Sequence, residues 1–193
     1  MKQPLLYPLI LLPLLLGLLQ GCAGPAVVAG AAGGAAAAQD QRSAPSMFDD
    51  TFIEARAKDA LYADADTARR IHINVTSYNG VVLLTGEALS EELRQQAVDI
   101  VRHLDKVRRV HNEIRVADLT GFKSRANDTW LTSKVKGQMI GTKGFDSTRV
   151  KVITEAGTVY LMGLVSRDQG HQAAEIASLV DGVKRVVKVF EYQ

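Results

Sequence analysis

Asn79-Gly80-Val81-Val82-Leu83-Leu84-Thr85-Gly86 returns 77 residues later as Ala156-Gly157-Thr158-Val159-Tyr160-Leu161-Met162-Gly163. The first copy opens on Asn-Gly, a pair that favours a tight two-residue hairpin because both central positions accept positive φ. Upstream, Ile71, Ile73 and Val75 alternate as a half-buried strand should, and Ile73-x-Val75 returns as Val150-x-Val152. Downstream, Val107-x-x-Val110 returns as Val183-x-x-Val186; farther upstream, Thr51-Phe52-Ile53 returns as Thr129-Trp130-Leu131. The offset drifts only from 78 to 76 across these matches. The chain therefore contains a duplicated domain.

Each copy reads as helix, strand, strand, helix, strand. In the first, Asp50 or Thr51 is placed to cap a helix through Tyr62, with Ile53, Ala57 and Leu61 on one face. Ser90 begins a second helix whose Glu91 and Glu92 suit the positive end of the helix dipole. Leu93, Ala97, Ile100, Val101 and Leu104 supply its apolar face. Val110, Ile114 and Val116 lie on the closing strand. The second copy places Ala173, Ala174, Ile176, Ala177 and Val180 on its second helix. The fold class is α+β: two tandem αββαβ domains, each a small three-stranded sheet covered on one face by two helices. The other sheet face would expose Val81 and Leu83 in one copy and Tyr160 and Met162 in the other. These sets are expected to be covered by the other domain, by the linker or by a partner.

Ahead of the repeats, Lys2 precedes an apolar run from Leu5 to Leu19, closed by Leu19-Gln20-Gly21-Cys22. This order reads as a secretory signal. The run of about 15 residues is short of the ~20 a membrane-spanning helix needs, and it is interrupted by Pro8 and Pro13. Cys22 is the sole cysteine, so a disulfide within the chain and a cysteine metal cluster are excluded. A lone Cys after Leu-x-Gly resembles the bacterial lipobox, although Gln20 departs from the small residue usual before the Gly. The resemblance implies that Cys22 begins the mature protein and carries lipid; the alternative is an ordinary secreted protein cut near Ala23. Acyl chains would anchor the protein to a membrane without spanning it. The absence of an acidic residue after Cys22 implies, by the same resemblance, sorting to the outer membrane. The expected divisions are a signal over 1–21, a lipidated and flexible Ala/Gly-rich tether over 22–47, domains over 48–116 and 128–193, and a linker over 117–127. The tether has too few large apolar residues to offset chain entropy.

The repeated pattern, with its apolar-Gly pairs and closing Val-x-x-Val, resembles the BON domain. Two such domains behind a lipobox resemble the dual-BON outer-membrane lipoproteins over essentially the whole chain. Ile73-Asn74-Val75-Thr76 and Asn127-Asp128-Thr129-Trp130 are also similar to that family. The resemblance implies a periplasm-facing protein that binds anionic, phosphatidylglycerol-like phospholipid, supports envelope integrity and concentrates at the division site. It also implies that the first helix of the second domain is the membrane contact.

On a helix from Asp128 to Gly141, Leu131, Val135 and Met139 form the core stripe. Trp130 and Lys134 fall on an adjacent face, in line with Gly137 and Gly141. An indole beside a lysine suits a membrane interface, where the ring sits at headgroup depth and the ammonium meets phosphate. The same indole could instead merely cover the edge of its own core, as Phe52 could in the first copy. The expected phospholipid-contacting set is Trp130, Leu131, Lys134, Val135, Gly137 and Gln138.

Charge agrees. Residues 51–116 carry ten Lys and Arg against ten Asp and Glu, whereas residues 128–193 carry nine against seven. Lys134, Lys136 and Lys143 are offset mainly by Asp128 and Asp146. The whole-chain net charge of +2 does not mark a nucleic-acid binder. No catalytic residue, cofactor or metal site is expected. His72, His103, His111 and His171 lack metal spacing, Ser166 lacks a nucleophile elbow, and Gly141-Thr142-Lys143-Gly144 departs from the phosphate loop. The alternative to lipid binding is a tethered adaptor that grips an outer-membrane assembly or cell-wall machine through the same helix or the sheet faces.

Overall fold

Two short turns set the strand register of the molecule. In the computed structural model, which describes residues 44–119 and 121–193, Asn79 and Gly80 take φ of 53° and 73°, and Ala156 and Gly157 take 50° and 80°. Positive φ at both central residues matches the right-handed twist of the flanking strands. The signal, Cys22 and most of the tether lie outside the described residues.

The first domain comprises α1 (Ala44–Leu61), a single turn α2 (Ala65–Ala68), β1 (Ile71–Tyr78), β2 (Val81–Ala88), α3 (Glu91–Arg102) and β3 (Arg109–Val116). The second comprises α4 (Phe122–Gly141), a 3-10 turn (Ser147–Arg149), β4 (Lys151–Glu155), β5 (Thr158–Val165), α5 (Arg167–Ser178) and β6 (Arg185–Tyr192). Each sheet has the second strand in the centre, antiparallel to the first and parallel to the third. A parallel neighbour requires a crossover, and α3 and α5 supply it. Ser90 and Ser166 start these helices by accepting the amides of Leu93 and Gln169, and Gln169 answers Ser166 in a capping box.

The helices cover one face of each sheet. Ile53, Ala57 and Leu61 pack with Val82, Leu84, Ala97 and Val101 in the first core. Leu131, Val135 and Met139 pack with Val159, Leu161, Ala173 and Ala177 in the second. The opposite sheet faces cover each other. Tyr78, Val81 and Leu83 meet Tyr160, Met162 and Val189 in a third apolar cluster. The molecule is thus layered helix, sheet, sheet, helix, and the other domain is what covers the apolar faces.

Contacts along the seam give its sense. Asn74 meets Glu155 and Ser77 meets Lys151, so β1 and β4 run in opposite directions. Arg108 meets Glu191 and Arg185 meets Glu113, so β3 and β6 do the same. The two copies face each other much as the subunits of an isologous dimer do.

Two helix starts differ from the sequence expectation. α1 begins at Ala44, taking in the last residues of the expected tether, and α4 begins at Phe122, taking in residues 122–127 of the expected linker. Asp50 is not the cap of α1. It lies inside the helix, and its carboxylate accepts the Ser77 hydroxyl and the amides of Asn79 and Gly80 at 2.6–2.8 Å. Thr51 donates its hydroxyl to the Met47 carbonyl one turn back, as a helix-interior threonine can.

The repeated glycines have separate causes. The first of each set serves the turn. A Cβ on Gly86 would stand 1.9 Å from the His72 carbonyl oxygen, and one on Gly163 would stand 2.2 Å from that of Arg149. Only a glycine lets the neighbouring backbone come so near.

Candidate functional site

The outward face of α4 is the most distinctive surface of the second domain. Its placement begins with Asp128, which is buried within the helix and accepts the amides of Ala156 and Gly157 at 2.8 and 2.9 Å. This carboxylate ties the helix to the β4–β5 turn, as Asp50 ties α1 to the β1–β2 turn. The core stripe then fixes the helix roll, and Trp130 is turned away from the core with 66% of its surface exposed. The indole is therefore not a cover for its own core.

The six expected contact residues divide by burial. Trp130, Gly137 and Gln138 are exposed, and Lys134 is half-exposed. Leu131 and Val135 are buried in the second core, which corrects their expected place at a lipid surface: their side chains hold the helix to the sheet and cannot reach outward. Cys22 lies outside the described residues. A Cβ at Gly137 or Gly141 would meet no atom within 4 Å, so the line beside Trp130 is bare helix backbone.

Lys134 donates from Nζ to the Asp181 carbonyl at 2.7 Å. This joins α4 to the loop after α5. Lys136 and Lys143 are exposed on the same element and just beyond it. Ile140, which sequence reasoning passed over, is 73% exposed. Its position off the Leu131–Val135–Met139 stripe was the available signal. The arrangement offers an aromatic ring, an aliphatic side chain and several cations on one side of a helix.

The first domain carries a related but neutral face. Phe52 stands where Trp130 does and is 63% exposed. The residue one turn on, Arg56, pairs with Asp105 at 3.5 Å, and nearby Lys106 pairs with Asp49 at 2.5 Å. Arg56 and Asp105 occupy the positions of Lys134 and Asp181, and the first domain adds exposed Asp59 where the second has Gly137.

A second polar feature lies in the seam between the sheets. Glu155 is buried and accepts from Asn74 Nδ2 at 2.9 Å and Thr85 Oγ1 at 3.4 Å. Burial holds its carboxyl above the usual carboxylate range; the Asn74 hydrogen bond opposes this, while Glu87 and Asp128 add repulsion. Glu87 is itself buried and paired with Arg115. The Tyr160 hydroxyl, also buried and beside Glu113, is pushed up to about 12.

The residues weighed for catalysis have structural placements. The Ser166 hydroxyl is engaged as the cap of α5, and Gly141-Thr142-Lys143-Gly144 closes α4 rather than opening a helix. Among the described residues no three His, Cys, Asp or Glu side chains gather as a metal site, and no helix is long and apolar enough to cross a membrane.

Comparison with known proteins agrees with the duplicated architecture. The BON domain family matches residues 49–118 and again 127–193. The chain is 38% identical over 190 residues to the outer membrane lipoprotein DolP of Haemophilus influenzae, covering 97% of this chain and 98% of that one. It is 37% identical over 153 residues to the 21 kDa hemolysin of Actinobacillus pleuropneumoniae, covering 79% of each. It is 35% identical over 144 residues to the osmotically-inducible protein Y of Escherichia coli, covering 73% of this chain and 71% of that one. With two matched domains spanning most of its length, the chain belongs to the BON domain family.

Proposed function

We propose that this protein is an outer-membrane-anchored lipoprotein, facing the periplasm, that binds anionic phospholipid through α4. Cys22 carries the lipid, and the protein supports envelope integrity at the division site. The anchor and location are supported by the lipobox-like Leu19-Gln20-Gly21-Cys22 and by the full-length similarity to an outer membrane lipoprotein. The lipid-binding reading is carried by one observation: the sole tryptophan of the chain stands uncovered on a helix lined with lysines and bare backbone.

Trp130 and Ile140 enter the headgroup region, and Lys134, Lys136 and Lys143 meet lipid phosphate. Leu131 and Val135 act from beneath as the packing that sets the helix roll. A cation near an anionic surface contributes roughly 1 kcal/mol, which gives modest, salt-sensitive binding. The acyl anchor raises the effective concentration of the domain at the bilayer, so modest affinity suffices.

The test uses the mature chain carrying Cys22→Ser, so that no acyl group contributes. Preferential binding to phosphatidylglycerol vesicles over neutral ones, with a blue shift of the single tryptophan, is expected. Trp130→Glu should abolish binding while circular dichroism is unchanged. Failure of the wild-type surface to prefer anionic vesicles would overturn the lipid reading in favour of a tethered protein adaptor.

A further inference from the structure

We infer that Leu179, at the C-terminal end of α5, is a second apolar anchor of the same contact, so that the second domain rests on an anionic phospholipid bilayer through two helices. This inference depends on the lipid reading of α4. Leu179 is 76% exposed, more than any other large apolar residue among those described. It is the C-cap of α5, where the chain turns into the loop that lies against α4. That loop is held in place: Lys134 Nζ donates to the Asp181 carbonyl at 2.7 Å, and a Cβ on Gly182 would stand 3.5 Å from Leu131 Cδ1. Leu179 is thereby carried on the same rigid layer as Trp130, two residues from the point where the two helices are joined.

The first domain serves as an internal control because the duplication aligns its positions one by one. Trp130, Ile140 and Leu179 correspond to Phe52, Tyr62 and His103. Tyr62 is turned inward, with its hydroxyl donating to the Ile73 carbonyl at 3.1 Å and accepting the Ile73 amide at 2.8 Å. His103 is polar, and its Nδ1 lies 2.7 Å from the Asp99 carbonyl. Only the second domain presents large apolar side chains outward at all three positions. It is also the domain with a positive charge balance. The charged residues around Leu179 are Glu175, one turn back on α5, whose carbonyl accepts the Leu179 amide at 3.3 Å, and Asp181, whose carbonyl accepts Lys134 Nζ; Lys136 and Lys143 lie farther along α4 and just beyond it.

A bilayer is the occupant this geometry favours over a groove-binding protein. Trp130 and Ile140 stand exposed on α4, which also carries bare backbone at Gly137 and Gly141, and Leu179 stands exposed at the end of the neighbouring α5. A broad surface of exposed apolar side chains, with the cations on the α4 side and Glu175 and Asp181 at the α5 end, suits a soft interface that α4 meets first. A single apolar line would leave the domain free to roll about α4; a point on α5 fixes its roll.

Because the Cys22→Ser chain has no other thiol, Leu179→Cys, Ile140→Cys and His103→Cys can each take one environment-sensitive nitrobenzoxadiazole label. On phosphatidylglycerol vesicles, labels at 179 and 140 should brighten, shift to the blue and be quenched by lipids brominated on the acyl chain. The label at 103 should remain at its aqueous value. Leu179→Glu should lower vesicle partitioning about tenfold, and Leu179→Phe should restore it. If the label at 179 stays aqueous while Trp130→Glu abolishes binding, Leu179 is not an anchor and the α4 reading stands. If the unlabelled chain does not bind anionic vesicles at all, both readings fail together.

Discussion

At the residue scale, two aspartates hold the design together. Asp50 and Asp128 sit within the first helix of each copy, where an acidic residue ordinarily faces water, yet both are buried on the amides of a hairpin turn. Removing the carboxylate leaves buried donors without a partner, which costs about 1–3 kcal/mol. Asp128→Ala should therefore lower the thermal midpoint and, by loosening α4 from the β4–β5 turn, weaken vesicle binding although it touches no lipid. Gly86→Ala should destabilise the first domain by roughly 1–3 kcal/mol, since its Cβ would collide with the His72 carbonyl; chemical denaturation would read this. The repeat was visible because turn chemistry and close approach restrict residue type. The role of the aspartates was not, because a carboxylate near a helix start reads equally well as a cap.

At the scale of the element, α4 combines a packed side with an outward side of unusual composition. Its core stripe was legible from spacing, since Leu131, Val135 and Met139 repeat every four residues. The helix start was not legible. Residues 122–127 carry no apolar stripe, and Gly121 caps the helix without a side-chain bond. Gly137 offers a test that separates stability from seating. A methyl group there meets nothing within 4 Å, and replacing glycine by alanine inside a helix stabilises by about 1 kcal/mol. Gly137→Ala should therefore raise the thermal midpoint. If the flat line beside Trp130 is where the helix meets lipid headgroups, the same change should reduce binding to phosphatidylglycerol vesicles. Unchanged binding would remove the glycine from the contact.

At the scale of the whole molecule, the seam between the sheets governs how the two copies act together. Leu83 and Met162 are fully buried there. Leu83→Asp should part the sheets, detectable as increased binding of an apolar dye and as loss of amide-exchange protection in β2 and β5. Glu155 adds a pH dependence. Its carboxyl is held above the ordinary value by burial, so the folded state holds the proton more tightly than the unfolded chain does. The associated stability is full below the unfolded carboxyl range and is lost as pH rises through the elevated folded value. Glu155→Gln should remove this loss, so the thermal midpoint of the variant should gain on wild type as pH rises across that window. A constant difference between the two would show that the seam does not titrate.

The amino-acid sequence by itself determined the duplication, the αββαβ order and the core stripes. Each of these follows from local rules of turn chemistry and periodic burial, which act within a few residues. It also marked Trp130 as lying off the core stripe. Tertiary structure alone decided what covers the open sheet faces, which carboxylates are buried, and which apolar residues stay in water. Those outcomes depend on which surfaces meet across long stretches of chain. Leu179 and Val180 are adjacent apolar residues, yet only Val180 is buried, because the end of α5 turns one toward the sheet and leaves the other facing outward.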